Sequence, residues 1–223
     1  MKNLTDWFDR VYVINCAHRT DRLEETKKVF DDTKMADNAK VYYSNAIIGD
    51  WTSCPSDWIS GRGAWGCLRS HQRILEDVLH TRDDRHQMTL QSVLILEDDI
   101  IFRNDALKKL NEFMEALPET WGQIYLGGQH RRGTSPTQFP GVVLGNSVNR
   151  THAYGISQNT FQPLYRHISY ATDYRGTHKH IDHQLELAHQ RKDWSVYCPK
   201  EWIAGQRAGS SNISGKTNGD QFW

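Results

Sequence analysis

The stretch from Val93 to Phe102 constrains the fold of this chain more than any other. Four apolar residues, Val93-Leu94-Ile95-Leu96, run into Glu97-Asp98-Asp99, and Ile100-Ile101-Phe102 then resumes the apolar run. An unbroken aliphatic run of this length reads as a strand covered on both faces, which requires layers on either side of a sheet. Three carboxylates at its carboxyl end stand where open α/β sheets bind their ligands. Alternation along the chain would set Glu97 and Asp99 on one side. Two carboxylates two residues apart can share one divalent ion, and Mg²⁺ or Mn²⁺ takes such hard oxygen ligands while bridging to diphosphate oxygens. The plain alternative is that acids end a strand and open a turn. Here apolar residues follow, so the acids interrupt a core segment, where unpaired carboxylates would be costly and cations are implied.

The remaining chain reads as alternating strands and helices. Val11-Tyr12-Val13-Ile14 predicts a buried strand ending at Asn15, and Thr20 is a candidate N-cap for a helix to about Phe30. Val41 to Ile47 reads as a second strand. Residues 49 to 63, with Gly49, Pro55, Gly61 and Gly63, read as a loop carrying Trp51 and Trp58. A helix is expected from near Ala64 to about Leu79, with Leu68, Leu75, Val78 and Leu79 as its buried stripe. A further helix follows Asp105. Gln123 to Leu126 predicts a strand broken by Gly127-Gly128, and residues 129 to 141 a mobile surface loop. Strands at 142–144, 151–157 and 195–197 and helices around 161–168 and from Asp182 complete the reading. The 223 residues suit a single α/β domain, with a flexible, Gly-, Ser- and Asn-rich C-terminal tail from about residue 205.

Lys plus Arg equals Asp plus Glu at 27 each, so no global charge draws the chain to nucleic acid or to an anionic membrane. The four cysteines form no C-x-x-C pair and read as free thiols, with a single disulfide as the alternative. The N-terminal residues lack an apolar signal-peptide core, and no run is long enough to span a bilayer, so the expectation is a cytoplasmic protein without a membrane span.

Five ordered segments are similar to glycosyltransferase family 25, which includes bacterial lipooligosaccharide galactosyltransferases and collagen hydroxylysine galactosyltransferases. They are Val11 to Asn15 with Arg19, Asp21 and Arg22; Gly63 to His71; Leu94 to Asp99; Thr151 to Tyr154; and Gln206 with Ser210, Ser211 and Ile213. The resemblance spans about residues 10 to 214. It implies a GT-A type fold with a mixed central sheet flanked by helices, a nucleotide-sugar donor, commonly UDP-galactose, and inversion at the anomeric carbon. It places Asn15, Arg19 and Arg22 near the nucleotide, and Glu97 and Asp99 at a Mn²⁺ or Mg²⁺ ion, with Asp98 between them on the donor side. Gly66, Ser70 and His71 would line the donor or acceptor site, or else Ser70 and His71 satisfy buried loop carbonyls.

Inverting transfer needs a general base for the acceptor hydroxyl. Asp182, near a helix start, is the candidate; an N-cap role is its plain alternative, and Glu201 is held in reserve. One of His178, His180 and His183 could complete the metal site; a zinc hydrolase using several of them is disfavoured because an H-E-x-x-H pattern is missing, and solvated loop is the simpler reading for most of the cluster. Arg131 and Arg132 could hold a phosphate or an anionic acceptor, or simply be solvated. The function expected is transfer of a sugar to a hydroxyl acceptor, foremost a saccharide. The alternatives are a transferase acting on a hydroxymethylated base of DNA, which zero net charge does not favour, and a non-catalytic nucleotide-sugar-binding module, which a metal-dependent donor hydrolysis assay would separate.

Overall fold

The computed structural model describes residues 1–56, 58–169, 180–210 and 217–222. Its centre is an eight-stranded mixed sheet. The strands are β1 (Arg10–Asn15), β2 (Val41–Asn45), β3 (Ser92–Glu97), β5 (Gln123–His130), β6 (Thr134–Pro136), β7 (Val142–Gly145), β8 (Val148–Ser157) and β9 (Val196–Pro199), in the order β2-β1-β3-β8-β5-β9-β7-β6. β1 runs parallel to β2 and β3, while β8 is antiparallel to both β3 and β5. The three parallel strands therefore deliver their carboxyl ends to one edge.

The aliphatic runs are covered on both faces, as their composition requires. Val93 and Ile95 join a cluster with Leu68, Leu75 and Val78 of α3 (Arg62–His80), Phe161 and Leu164 of α5 (Gln158–Ser169) and Leu185 of α6 (Ile181–Arg191). Leu94 and Leu96 point the other way, to Leu4 of α1 (Leu4–Trp7), Phe30 of α2 (Thr20–Thr33) and Phe113 of α4 (Ala106–Ala116). This is the α/β arrangement expected, a mixed central sheet flanked by helices. The stripe expected on α3 is buried along its whole length. No described helix is long and apolar enough to cross a membrane, and no disulfide joins the four cysteines.

Several boundaries differ from the sequence reading. Thr20 is the first helical residue of α2 and Arg19 takes the N-cap position. Gly127 and Gly128 do not break β5, which runs through them with two register shifts against β8. A Cβ at Gly127 would lie 2.4 Å from the Ala204 carbonyl oxygen and 2.5 Å from His152 Nε2, so the glycine admits a backbone crossing. Part of the stretch read as a mobile loop is β6, paired with β7. β3 ends at Glu97, and the next apolar residues form β4 (Ile100–Phe102), which pairs with β10 (Ala204–Gln206) in a separate two-stranded sheet. The segment read as the start of a flexible tail is thus β10. Gly205 packs on Gln221 and Phe222, and β11 (Gly209–Ser210) pairs with β12 (Thr217–Asn218).

Candidate functional site

A cavity of about 800 Å³ opens at the carboxyl ends of β1, β2 and β3. Its floor is Glu97, Asp98 and Asp99, one wall is α3 through Cys67, Ser70 and His71, and the opposite wall is His180, Asp182 and His183 at the start of α6. Gln206 and Arg207 close it from the C-terminal segment.

The three acids diverge because the chain turns at them instead of continuing as a strand. Glu97 accepts a hydrogen bond from Thr151 Oγ1 at 2.8 Å. Among the described residues the Asp99 carboxylate is met only by the Gln206 amide, at 3.3 Å to each oxygen. Burial, followed by the nearby Asp99 charge, holds the Glu97 carboxyl well above the usual carboxylate range, and Asp182 adds to this. Burial and the neighbouring Asp98 likewise raise Asp99. Asp98 turns from the other two: Arg22 Nη1 donates to its Oδ1 at 2.9 Å, and Thr26 Oγ1 and Arg207 Nη2 donate to its carbonyl oxygen. Its burial still raises its carboxyl pKa against the opposing pull of Arg22.

The expected nucleotide contacts fall at different places. Arg22 lines the cavity. Asn15 is buried at the end of β1; its Nδ2 donates to the Cys16 carbonyl, and among the described residues its Oδ1 has no hydrogen-bond partner. The Arg19 guanidinium pairs with Asp21 at 2.7 Å and does not figure among the described lining residues. Gly66 is a packing residue, since a Cβ there would lie 2.4 Å from the Ile47 carbonyl oxygen and 2.7 Å from Gly49 N. Ser70 donates to the Gly66 carbonyl of its own helix at 2.7 Å and accepts from the loop residue Ile47 N at 2.8 Å, so it meets a loop N–H and not a loop carbonyl. The bond from Ile47 docks β2's outgoing loop onto α3.

His71 is wholly buried, and that burial pushes its pKa down to about 3, so the ring is neutral. Its Nδ1 shares a 2.9 Å hydrogen bond with the Tyr154 hydroxyl, not with a loop carbonyl, while Nε2 lies 3.9 Å from Glu97 Oε1. Cys67, one helical turn earlier, faces the same point. Sequence reasoning passed over Cys67 as one of four thiols; its i, i+4 relation to His71 was the available signal.

Asp182 is the second residue of α6, behind the N-cap His180, so it is not itself a cap. Its Oδ1 accepts from the His183 backbone N–H at 2.9 Å. His180 and His183 are 5.6 Å apart, ring to ring, on the same wall; His178 lies outside the described residues, as do Ser211 and Ile213. Glu201 pairs with Lys109 at 2.6 Å and is missing from the described lining residues. Arg131 does reach the lining, together with Arg150, which the sequence reading did not single out. Arg150 holds a left-handed backbone with φ of 80°, uncommon for a side-chain-bearing residue.

Known proteins repeat parts of this pattern. The human protein named inactive glycosyltransferase 25 family member 3 is 31% identical over 168 residues, covering 67% of this chain and 27% of its own length. Procollagen galactosyltransferase 1-B of Xenopus laevis is 29% identical over 154 residues, 60% of this chain and 24% of the relative. A putative glycosyltransferase, R655, of Acanthamoeba polyphaga mimivirus is 26% identical over 78% of this chain and 52% of its own length. The chain thus spans about a quarter of the first two relatives. Among solved structures, a glycosyltransferase involved in glycosylation of the major capsid of PBCV-1 aligns with a TM-score of 0.41 and 12% identity, covering 73% of this chain and 66% of that one. Residues 8–174, from the strand before Asn15 through the acidic triplet and past Tyr154, match the family described as glycosyltransferase family 25 (LPS biosynthesis protein), and the chain belongs to that family.

Proposed function

We propose that this protein transfers a sugar, with inversion and with the help of a divalent cation, from a nucleotide-sugar donor to a hydroxyl acceptor. A UDP-sugar is the donor class the family resemblance favours, and a saccharide is the acceptor class. The observation that carries the reading is the single cavity whose floor is the acidic triplet and whose far wall holds Asp182.

The acids suit Mn²⁺ or Mg²⁺. Glu97 and Asp99 face one cavity with all-oxygen donors, the Asp99 charge helps to raise Glu97 while burial and Asp98 raise Asp99, and among the described residues the Asp99 carboxylate has only long contacts to an amide. An uncompensated pair of this kind is stabilised by a hard cation. Such an ion would offset the charge that builds on the departing diphosphate. Asp98 acts through Arg22, which it holds at the cavity edge, where a guanidinium can pair with phosphate oxygens. Asn15 Oδ1, buried and open, offers an acceptor to a base or ribose donor beside the end of β1. Asp182 stands across the cavity as general base, its carboxylate fixed by the start of α6 and positioned to take the acceptor hydroxyl's proton.

The test is a thermal-shift screen of nucleotide sugars with and without Mn²⁺. One donor should raise the melting temperature only when the ion is present. Asp99→Ala should remove the metal-dependent part, and Asp182→Asn should abolish transfer while leaving donor binding in place. Binding and turnover unchanged in Asp99→Ala would sink the metal assignment. Donor binding with no hydrolysis or transfer in the wild-type protein would leave a binding module instead.

A further inference from the structure

Cys67 and His71 face one point from successive turns of α3, and Glu97 meets them there from the end of β3. Sγ of Cys67, a ring nitrogen of His71 and a carboxylate oxygen of Glu97 all lie within 4.8 Å of one another, and among the described residues no other trio of potential ligands does so. We propose that these three residues form a second cation site in the cavity floor, one that takes a borderline-soft ion such as Zn²⁺ or Co²⁺ and is distinct from the all-oxygen arm at Asp99.

Three observations support a built site. Among the described residues His71 Nε2 is buried without a hydrogen-bond partner, and it points at Glu97, 3.9 Å away. A buried ring nitrogen without a partner is costly unless something occupies its lone pair. The other nitrogen, Nδ1, is engaged by the Tyr154 hydroxyl, and in the tautomer where Nδ1–H donates to that oxygen, Nε2 is left free to ligate. Thr151 Oγ1 donates to Glu97 and fixes its carboxylate in the same way. Tetrahedral zinc with metal–ligand bonds of about 2.0–2.3 Å needs ligands roughly 3.3–3.7 Å apart. The trio would close by about 1 Å, through χ rotation of Cys67 and Glu97, leaving the fourth position open to the cavity. A thiolate selects against Mg²⁺ and for Zn²⁺ or Co²⁺; on binding, the thiol loses its proton to solvent as the metal–sulfur bond forms.

The inference shares Glu97 with the proposed function, and the experiment separates the two. The full chain is titrated with Co²⁺ and followed by absorbance, with Zn²⁺ as competitor. The wild-type protein should show a thiolate-to-cobalt charge-transfer band together with the visible bands of a tetrahedral ion. Cys67→Ser should lose the charge-transfer band, and Cys16→Ser, which alters the other cavity thiol, should keep it. Tyr154→Phe, which removes only the hydroxyl, should weaken Zn²⁺ about tenfold or more. Asp99→Ala should keep the band even as it loses the Mn²⁺-dependent donor effect. Failure of the Mn²⁺ effect in wild type, with the band present, would overturn the proposed all-oxygen arm and leave this site standing. The site is refuted if a wild-type protein with a normal melting transition shows no charge-transfer band, or if the band survives in Cys67→Ser.

Discussion

Three histidines, His71, His152 and His189, are held neutral inside this protein, each with a pKa pushed down to about 3, chiefly by burial. An unfolded histidine takes up its proton near pH 6.5, so as pH falls through that value the unfolded state binds protons that the folded state refuses. The stability these residues contribute is therefore complete above pH 6.5 and drains away as pH falls toward 3. His189 is the cleanest probe, away from the cavity: its Nδ1 accepts from Val148 N and its Nε2 meets Gln123 Oε1 at 3.0 Å. Between pH 7 and pH 5 it should give up about 2 kcal/mol. Glu97, Asp98 and Asp99, with raised pKa values, act in the opposite sense, but they are common to wild type and variant and cancel in the difference. Urea unfolding should accordingly show the gap between wild type and His189→Gln shrinking by about that amount from pH 7 to pH 5. A gap that is constant with pH would mean that His189 is not buried neutral. None of this was legible in the sequence, where eleven histidines look alike and only the His178–His183 cluster drew notice by density. The partner of Asp98 was hidden for a related reason. Spacing groups Asp98 with Glu97 and Asp99, but its partner, Arg22, is 76 residues away.

At the scale of elements, hydrophobic pattern was a good guide wherever one face or both faces meet a core. The runs at 11–14 and 93–96 became β1 and β3, and the stripe from Leu68 to Leu79 became the buried side of α3. Pattern failed where backbone approach decides the outcome. Gly127-Gly128 reads as a stop, yet β5 continues because a second backbone segment crosses there and a side chain would not fit. The apolar run resumed after Asp99, but pattern does not tell whether the same sheet continues, and β4 leaves it to pair with β10. Gly66 is the junction that matters for the site. It lets the loop from Ile47 to Gly49 lie against the first turns of α3, where Ser70 ties the two together. Gly66→Ala would force a backbone carbonyl away from a Cβ that has no room to yield. It should cost about 1–3 kcal/mol in chemical denaturation. Because Ile47, Ile48 and Gly49 line the cavity, the same change should weaken donor binding by more than a variant of equal instability at Leu75, remote in the core. Equal binding in the two variants would detach this junction from the site.

For the whole molecule, the family match and the cavity do not have the same extent. The match ends at residue 174, whereas Asp182, Gln206 and Arg207 stand on the cavity wall beyond it. The sheet and both its faces are closed by the matched part together with α6 and β9, and the C-terminal segment returns to cover the acids. That return explains why a stretch rich in Gly, Ser and Asn, with no apolar period, is nonetheless structured at residues 204–210. It is held by β4, by the Asp99 carbonyl, which accepts from Arg207 N at 2.7 Å, and by Gln221, not by a core of its own. The Arg207 side chain bridges to Glu25 at 2.8 Å and to the Asp98 carbonyl. Glu25 is 56% exposed, so the ion pair adds little to folding, below about 1 kcal/mol. Its value lies in where it puts positive charge, over the turn that carries all three acids. Replacing Gln206 and Arg207 together by Ala should leave the thermal midpoint of the free protein nearly unchanged. It should strip the Asp99 carboxylate of its amide contact and take a cation from the donor's phosphate end. Calorimetric titration with donor and Mn²⁺ should then show affinity reduced by roughly tenfold or more, the size expected for losing a charge-assisted contact of about 1.5–3 kcal/mol. A fall in the midpoint by many degrees with unchanged affinity would reverse the assignment, making the returning segment a brace for the fold and not a wall of the site.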